Sequence, residues 1–294
     1  MATDHATGDL LVADLPQGRL PYRAAGPAGT SSPPVVFVHG VLVDARLWAD
    51  VAGQLAAQGI RSYAPTLPLG AHPWPMNPDA DLSPRGMAQL VLDFIAALGL
   101  SDVTIVGNDT GGAICQVMLG ADTSRIGAAV LTDCDAFDAF PPRALAPLFR
   151  AMRHPAIVAC LVPGLRLAAV RQGRLGYGLL SSGPIDRALT RDWVQPLASR
   201  AIRRDLARFA RGVHPGVLRE AASRFSQFTG PVRILWGDDD AYFSLDLGKR
   251  LSAAFPRGIL TTVPAGRTFL PLDHPVDVTR EIAAAGRDAA PRER

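Results

Sequence analysis

Lysine is almost missing from this chain. Lys249 is the only one among 294 residues, and the rest of the positive charge is arginine. The 30 Lys and Arg nearly cancel 27 Asp and Glu, leaving a net charge of +3. No basic run is interleaved with aromatics. Arg203, Arg204, Arg208 and Arg211 sit among Ala, Leu and Phe at helical spacing, which reads as a solvated helix face. No nucleic-acid partner is therefore expected. Cysteine is scarce: Cys115, Cys134 and Cys160 are odd in number and far apart, so neither a disulfide framework nor zinc spacing is present. No metal, nucleotide or flavin signature appears, and no cofactor is expected. Long apolar runs are also lacking. The most apolar late stretch, 156–170, is broken by Pro163, Gly164 and Arg166, too often for a membrane span. The first residues lack the basic and apolar regions of a signal peptide, so a cytoplasmic protein without a membrane partner is expected. What is plentiful is buried-core material, with 48% hydrophobic residues. That suits one large domain, or a core with an insert.

Strands and helices alternate at both ends of the chain. Residues 10–14 and 19–24 read as short strands around a Pro-Gln-Gly turn, and 35–38 as a strand buried on both faces. A helix is expected over 45–58, a strand over 59–64, and a helix opened by Ser83-Pro84. Strands follow at 103–106 and 126–132. From about Phe140 to Phe228 the alternation stops, and Pro breaks separate helical Arg/Leu/Ala segments. It resumes with a strand at 232–236, a helix near 245–255, a strand at 259–263 and a last helix from Pro275. The pattern predicts a mostly parallel, eight-stranded sheet flanked by helices. Residues 1–139 and 229–294 would form its two parts, and 140–228 an inserted helical cap over the sheet's C-terminal edge.

Residues 107–111 read Gly-Asn-Asp-Thr-Gly between the apolar run 103–106 and the start of a helix. A strand, a glycine-pinched turn and a helix put one side chain, Asp109, on a sharp turn above the sheet. Gly107 and Gly111 flank it because no Cβ fits where strand and helix nearly touch.

Four ordered marks then make the chain resemble the α/β-hydrolase fold family. They are His39-Gly40 with Trp48 beyond it, the elbow at Asp109, Trp236-Gly237-Asp238-Asp239-Asp240, and the segment from Val263 to Pro275. Aspartate at the elbow resembles the branch of epoxide hydrolases and haloalkane dehalogenases. The resemblance implies that Asp109 is the nucleophile and Asp240 the orienting acid, with Asp133 and Asp135 as the fallback acid position. It also implies that Val41 and Leu42, after His39 and Gly40, line an oxyanion pocket with the N–H of Thr110. Asn108, Trp74 and Tyr177 join the list of pocket candidates.

The departure is at the base. In the family a histidine precedes a Phe after the last strand; here that context is Arg267-Thr268-Phe269, so Thr268 fills the histidine slot. A threonine hydroxyl cannot take a proton as imidazole does. His274 reads as a helix-start residue, and His72, His154 and His214 have no spacing that selects them. Arg267 either pairs with Asp109 or Asp240, or faces solvent. Three readings stay open for a small, mainly apolar organic substrate. One is epoxide hydrolase-like chemistry through Asp109 with a degenerate triad. The second is a cofactor-independent lyase, isomerase or cyclase using Asp109 as acid or base. The third is a ligand-binding protein without turnover.

Overall fold

The computed structural model describes residues 9–174 and 176–289. Eight strands form one sheet in the order β1-β2-β4-β3-β5-β6-β7-β8. They are β1 (Asp9–Leu15), β2 (Gly18–Ala25), β3 (Val35–Val38), β4 (Ser62–Pro65), β5 (Val103–Asp109), β6 (Ile126–Cys134), β7 (Val232–Gly237) and β8 (Gly258–Val263). The β1–β2 and β2–β4 pairs are antiparallel. All the others are parallel, so the C-terminal ends of β3 to β8 line up along one edge. β3 and β5 are buried throughout, which explains their unbroken apolar runs.

Helices α1 (Ala49–Ala57), α2 (Pro84–Ala97) and α3 (Thr110–Leu119) follow β3, β4 and β5. The α2 start is set locally: Ser83 accepts the Gly86 N–H at 3.2 Å, and Pro84 sits in the first turn, where its missing N–H costs nothing. Between β6 and β7 the chain forms α4 (Ala146–Met152), α5 (Pro155–Arg166), α6 (Ala168–Arg171), α7 (Arg187–Val194), α8 (Arg200–Gly212) and α9 (Pro215–Ala222). Helices α10 (Leu245–Ala253), α11 (Leu270–Asp273) and α12 (Pro275–Ala289) complete the described chain. α1 packs with α12 and α2 with α3, covering the sheet in two groups. The aromatic core is tight: Trp48 stacks on Phe37 at 4.7 Å, and Phe225 on Phe255 at 4.1 Å. Among the described residues no single helix is long and apolar enough to cross a membrane.

Candidate active site

The turn after β5 is strained in the way its glycines predict. Asp109 has φ 53 and ψ −129, outside the regions side chains favour. A Cβ on Gly111 would lie 2.0 Å from the carbonyl oxygen of Val38, and one on Gly107 would lie 2.7 Å from that of Gly111. Gly40 has a different task. A Cβ there would come within 2.1 Å of Asp109 Oδ2, so the glycine of His39-Gly40 makes room for the carboxylate itself.

Asp109 is 9% exposed and occupies the N-cap position of α3. Burial pushes its carboxyl up to about 7. The nearby charge of Asp240 pushes the same way, while the backbone N–H groups of Thr110 and Val41 and the Thr110 hydroxyl pull it down. Removal from water outweighs these donors. The loop that carries Val41 is held from both sides. Leu42 donates its N–H to Leu69 O at 3.0 Å and accepts the Tyr177 hydroxyl at 2.5 Å. Tyr177 is fixed in turn against Trp193 and Phe269, with ring centroids 5.3 and 6.3 Å away. It therefore braces the loop and has its proton committed to a backbone carbonyl.

Asp240 lies on the loop after β7. Its Oδ1 accepts the N–H groups of Tyr242 and Phe243, both at 2.7 Å, and its Oδ2 accepts the Thr268 hydroxyl at 2.6 Å. Burial raises its pKa against these bonds. Thr268 is fully buried, and its backbone oxygen accepts Asn108 Nδ2 at 2.5 Å. Asn108 also reaches Thr132 Oγ1 at 3.0 Å, so it ties the last loop to the ends of β5 and β6 rather than facing a ligand. Two more carboxyls lie at the end of β6. Asp133 accepts the Gly237 N–H at 3.0 and 3.1 Å, and Asp135 Oδ2 faces Thr110 Oγ1 at 3.4 Å. Both are pushed well above the usual carboxylate range, first by burial and then by the charge of Asp240 and Asp109 respectively. Asp135 Oδ1 has no partner. Among the described residues, no group of three or more His, Cys, Asp or Glu is arranged to hold a metal.

The Alpha/beta hydrolase family model matches residues 35–282. The chain belongs to this family. An uncharacterized protein of Mycobacterium tuberculosis is 34% identical over 95 residues, which cover 32% of this chain and 27% of that protein. The matched segment is thus about a quarter of that relative's length. Among solved structures, haloalkane dehalogenase DbeA from Bradyrhizobium elkani superposes with a TM-score of 0.78 at 18% identity, over 96% of this chain and 98% of that one. An alpha/beta hydrolase fold protein from Burkholderia ambifaria gives 0.77 at 22% identity, over 95% and 99%. At these identities the likeness is one of fold.

Within that family framework, three histidines have other partners. His39 is fully buried, with Nδ1 2.8 Å from Gly40 O and Nε2 accepting Leu67 N–H at 2.8 Å. Burial pushes it down to about 4, so it stays neutral and braces the loop. His72 accepts Gly70 N–H at 3.3 Å and faces Asp205 at 3.5 Å. His274 sits at the start of α12, 3.7 Å from Asp277.

Trp74 lies away from the site, and Arg267 has its direct ion pair elsewhere while its charge still pulls the Asp240 pKa down. Trp74 packs under the guanidinium of Arg19, 4.6 Å from the ring centroid. It stands beside β2, three strand positions from β5, or roughly 14 Å at normal strand spacing. Arg267 ion-pairs with Asp239 at 2.7 Å and donates to Ser181 O at 3.3 Å, rather than to Asp109 or Asp240. Asp239 outcompetes them because it lies on the facing loop in partial solvent, where an ion pair needs less desolvation. Tyr242 is not singled out by the sequence motifs. Its N–H holds Asp240, and its side chain lines a cavity of about 500 Å³ with Arg143, Ala139 and Arg250. Its position two residues after Asp240 was the only available signal.

Proposed function

We propose that this chain is an enzyme that transforms a small, mainly apolar organic molecule by proton transfer through Asp109, without adding water. The class is isomerisation, elimination or ring closure. The observation that carries this reading is the 2.6 Å bond from Thr268 to Asp240. A two-step hydrolysis needs a base to activate water after carboxylate attack. The single hydroxyl proton of Thr268 is directed at Asp240, so Thr268 cannot act as the base, and Asp240 is already engaged by three donors. Asp109, by contrast, lies near 7 and exchanges its proton at neutral pH with small driving force either way. In the ionised form it removes a proton from carbon or a hydroxyl; in the neutral form it returns one to an oxygen on the same molecule.

A second reading is covalent. The N–H groups of Val41 and Thr110 act on the Asp109 carboxyl and would serve the carbonyl oxygen of an alkyl-Asp109 ester. That favours epoxide opening by attack on carbon, with slow release of the ester. Dehalogenation is less favoured, because Thr110 offers no indole N–H after the elbow. A panel of small epoxides and ketones, incubated in heavy-oxygen water and in D2O, separates the two. Proton transfer predicts isomeric products with deuterium and no solvent oxygen, lost in Asp109→Asn. A diol carrying solvent oxygen, or a persistent adduct on Asp109, supports the covalent reading and overturns the first.

A further inference from the structure

Charge is unevenly divided along the chain. Residues 139–212, which hold most of the helices between β6 and β7, contain thirteen arginines and three aspartates. The rest of the chain carries 17 basic and 24 acidic residues. From 139 to 185 there is no acidic residue at all. The three aspartates offset little of this charge: Asp205 is buried against Arg204, Asp192 pairs with Arg46 and with its neighbour Arg191, and Asp186 caps α7.

The same region carries an unusual apolar surface. On α5, Val158 and Val162 are buried one turn apart and face inward. One residue earlier in each turn, Ile157 and Leu161 are 45% and 44% exposed, so they form an outward ridge. Leu167, just past the helix end, is 61% exposed, and Leu148 on the adjoining α4 is 37% exposed. Arg150 on α4 and Arg166 at the end of α5 are exposed within the same carboxylate-free stretch, with no ion-pair partner among the described residues.

We propose that the outer face of α4 and α5 docks on an anionic lipid surface. Exposed Leu and Ile side chains beside arginines, with no carboxylates among them, are what an interfacial helix needs. The apolar tips enter the acyl boundary while the guanidinium groups meet phosphates. A second copy of this chain is the poorer match, since it would bring another strongly basic face against the first. The docked cap would present the Asp109 site to molecules partitioned in the bilayer, although the docking stands whether or not Asp109 is catalytic.

Co-sedimentation of the full chain with phosphatidylcholine vesicles, with and without phosphatidylglycerol, tests this. Binding is expected only with phosphatidylglycerol and is expected to weaken as salt rises. R150Q/R166Q is expected to bind roughly thirtyfold more weakly, about fivefold per arginine. I157E/L161E changes solvent-facing positions, so its melting temperature is expected to match the parent while vesicle binding falls by about tenfold or more. Equal binding to phosphatidylcholine alone overturns the proposal, as does no binding. So does a dimer in solution that I157E/L161E dissociates.

Discussion

Replacing Asp109 by Asn is expected to stabilise the protein at neutral pH. The reasoning is linkage. An acid whose proton is held more tightly in the folded state loses stability as pH rises, because the unfolded chain ionises first. For Asp109 the rise is from the ordinary 3.8 to about 7. At about 1.4 kcal/mol for each tenfold in proton affinity, this amounts to roughly 4 kcal/mol. The loss begins near pH 4 and is complete by about pH 8. Asparagine keeps an oxygen for the N–H groups of Val41 and Thr110 but has no charge to bury. Urea unfolding of both proteins from about pH 5 to about pH 8 reads the effect. The advantage of Asp109→Asn is expected to grow by roughly 2 to 3 kcal/mol across that range. The pH slope separates the charge from the backbone strain at φ 53, which both residues share. A difference that stays flat with pH would refute the reasoning, since it would mean that the carboxyl ionises as easily in the fold as in the unfolded chain.

Thr268→His puts a titratable group between Asp240 and Asp109; the Asp109 midpoint is expected to drop by about one unit or more, and heavy-oxygen incorporation into epoxide products is expected to appear. Gly40→Ala places a methyl 2.1 Å from Asp109 Oδ2, so a loss of about 2 kcal/mol or more and a displaced carboxylate are expected by denaturation and crystallography. Tyr177→Phe removes the 2.5 Å bond to Leu42 O; a loss of about 1 to 2 kcal/mol is expected, with faster amide exchange at Val41 and Leu42.

The sequence made legible whatever is set within a few residues. Runs such as 35–38, the Ser83-Pro84 cap and the Gly-x-Asp-x-Gly elbow each carry their own physics, and their elements lie where periodicity puts them. Asp240 can be singled out from sequence because its spacing from Trp236 is local. The choices between loops were not legible. Arg267 has two acids in reach by sequence logic, and only the path of the loop after β8 hands it Asp239. Trp74 sits in a Pro-rich loop whose direction no period encodes, and it lies with Arg19 instead of the site. Asn108 looked like a pocket residue from its place in the elbow, yet its amide reaches Thr268, 160 residues away. The exposed ridge on α5 is not legible because 156–170 is too broken to span a bilayer, and spanning is the pattern that hydropathy reveals.

The most direct measurement is the titration of Asp109 itself. Carbon-13 labelling of aspartate side chains, with Asp109→Asn to assign the resonance, gives its midpoint by NMR. A midpoint near 7 is expected. A carboxyl already ionised at about pH 5, in the ordinary aspartate range, would contradict the proton-transfer account.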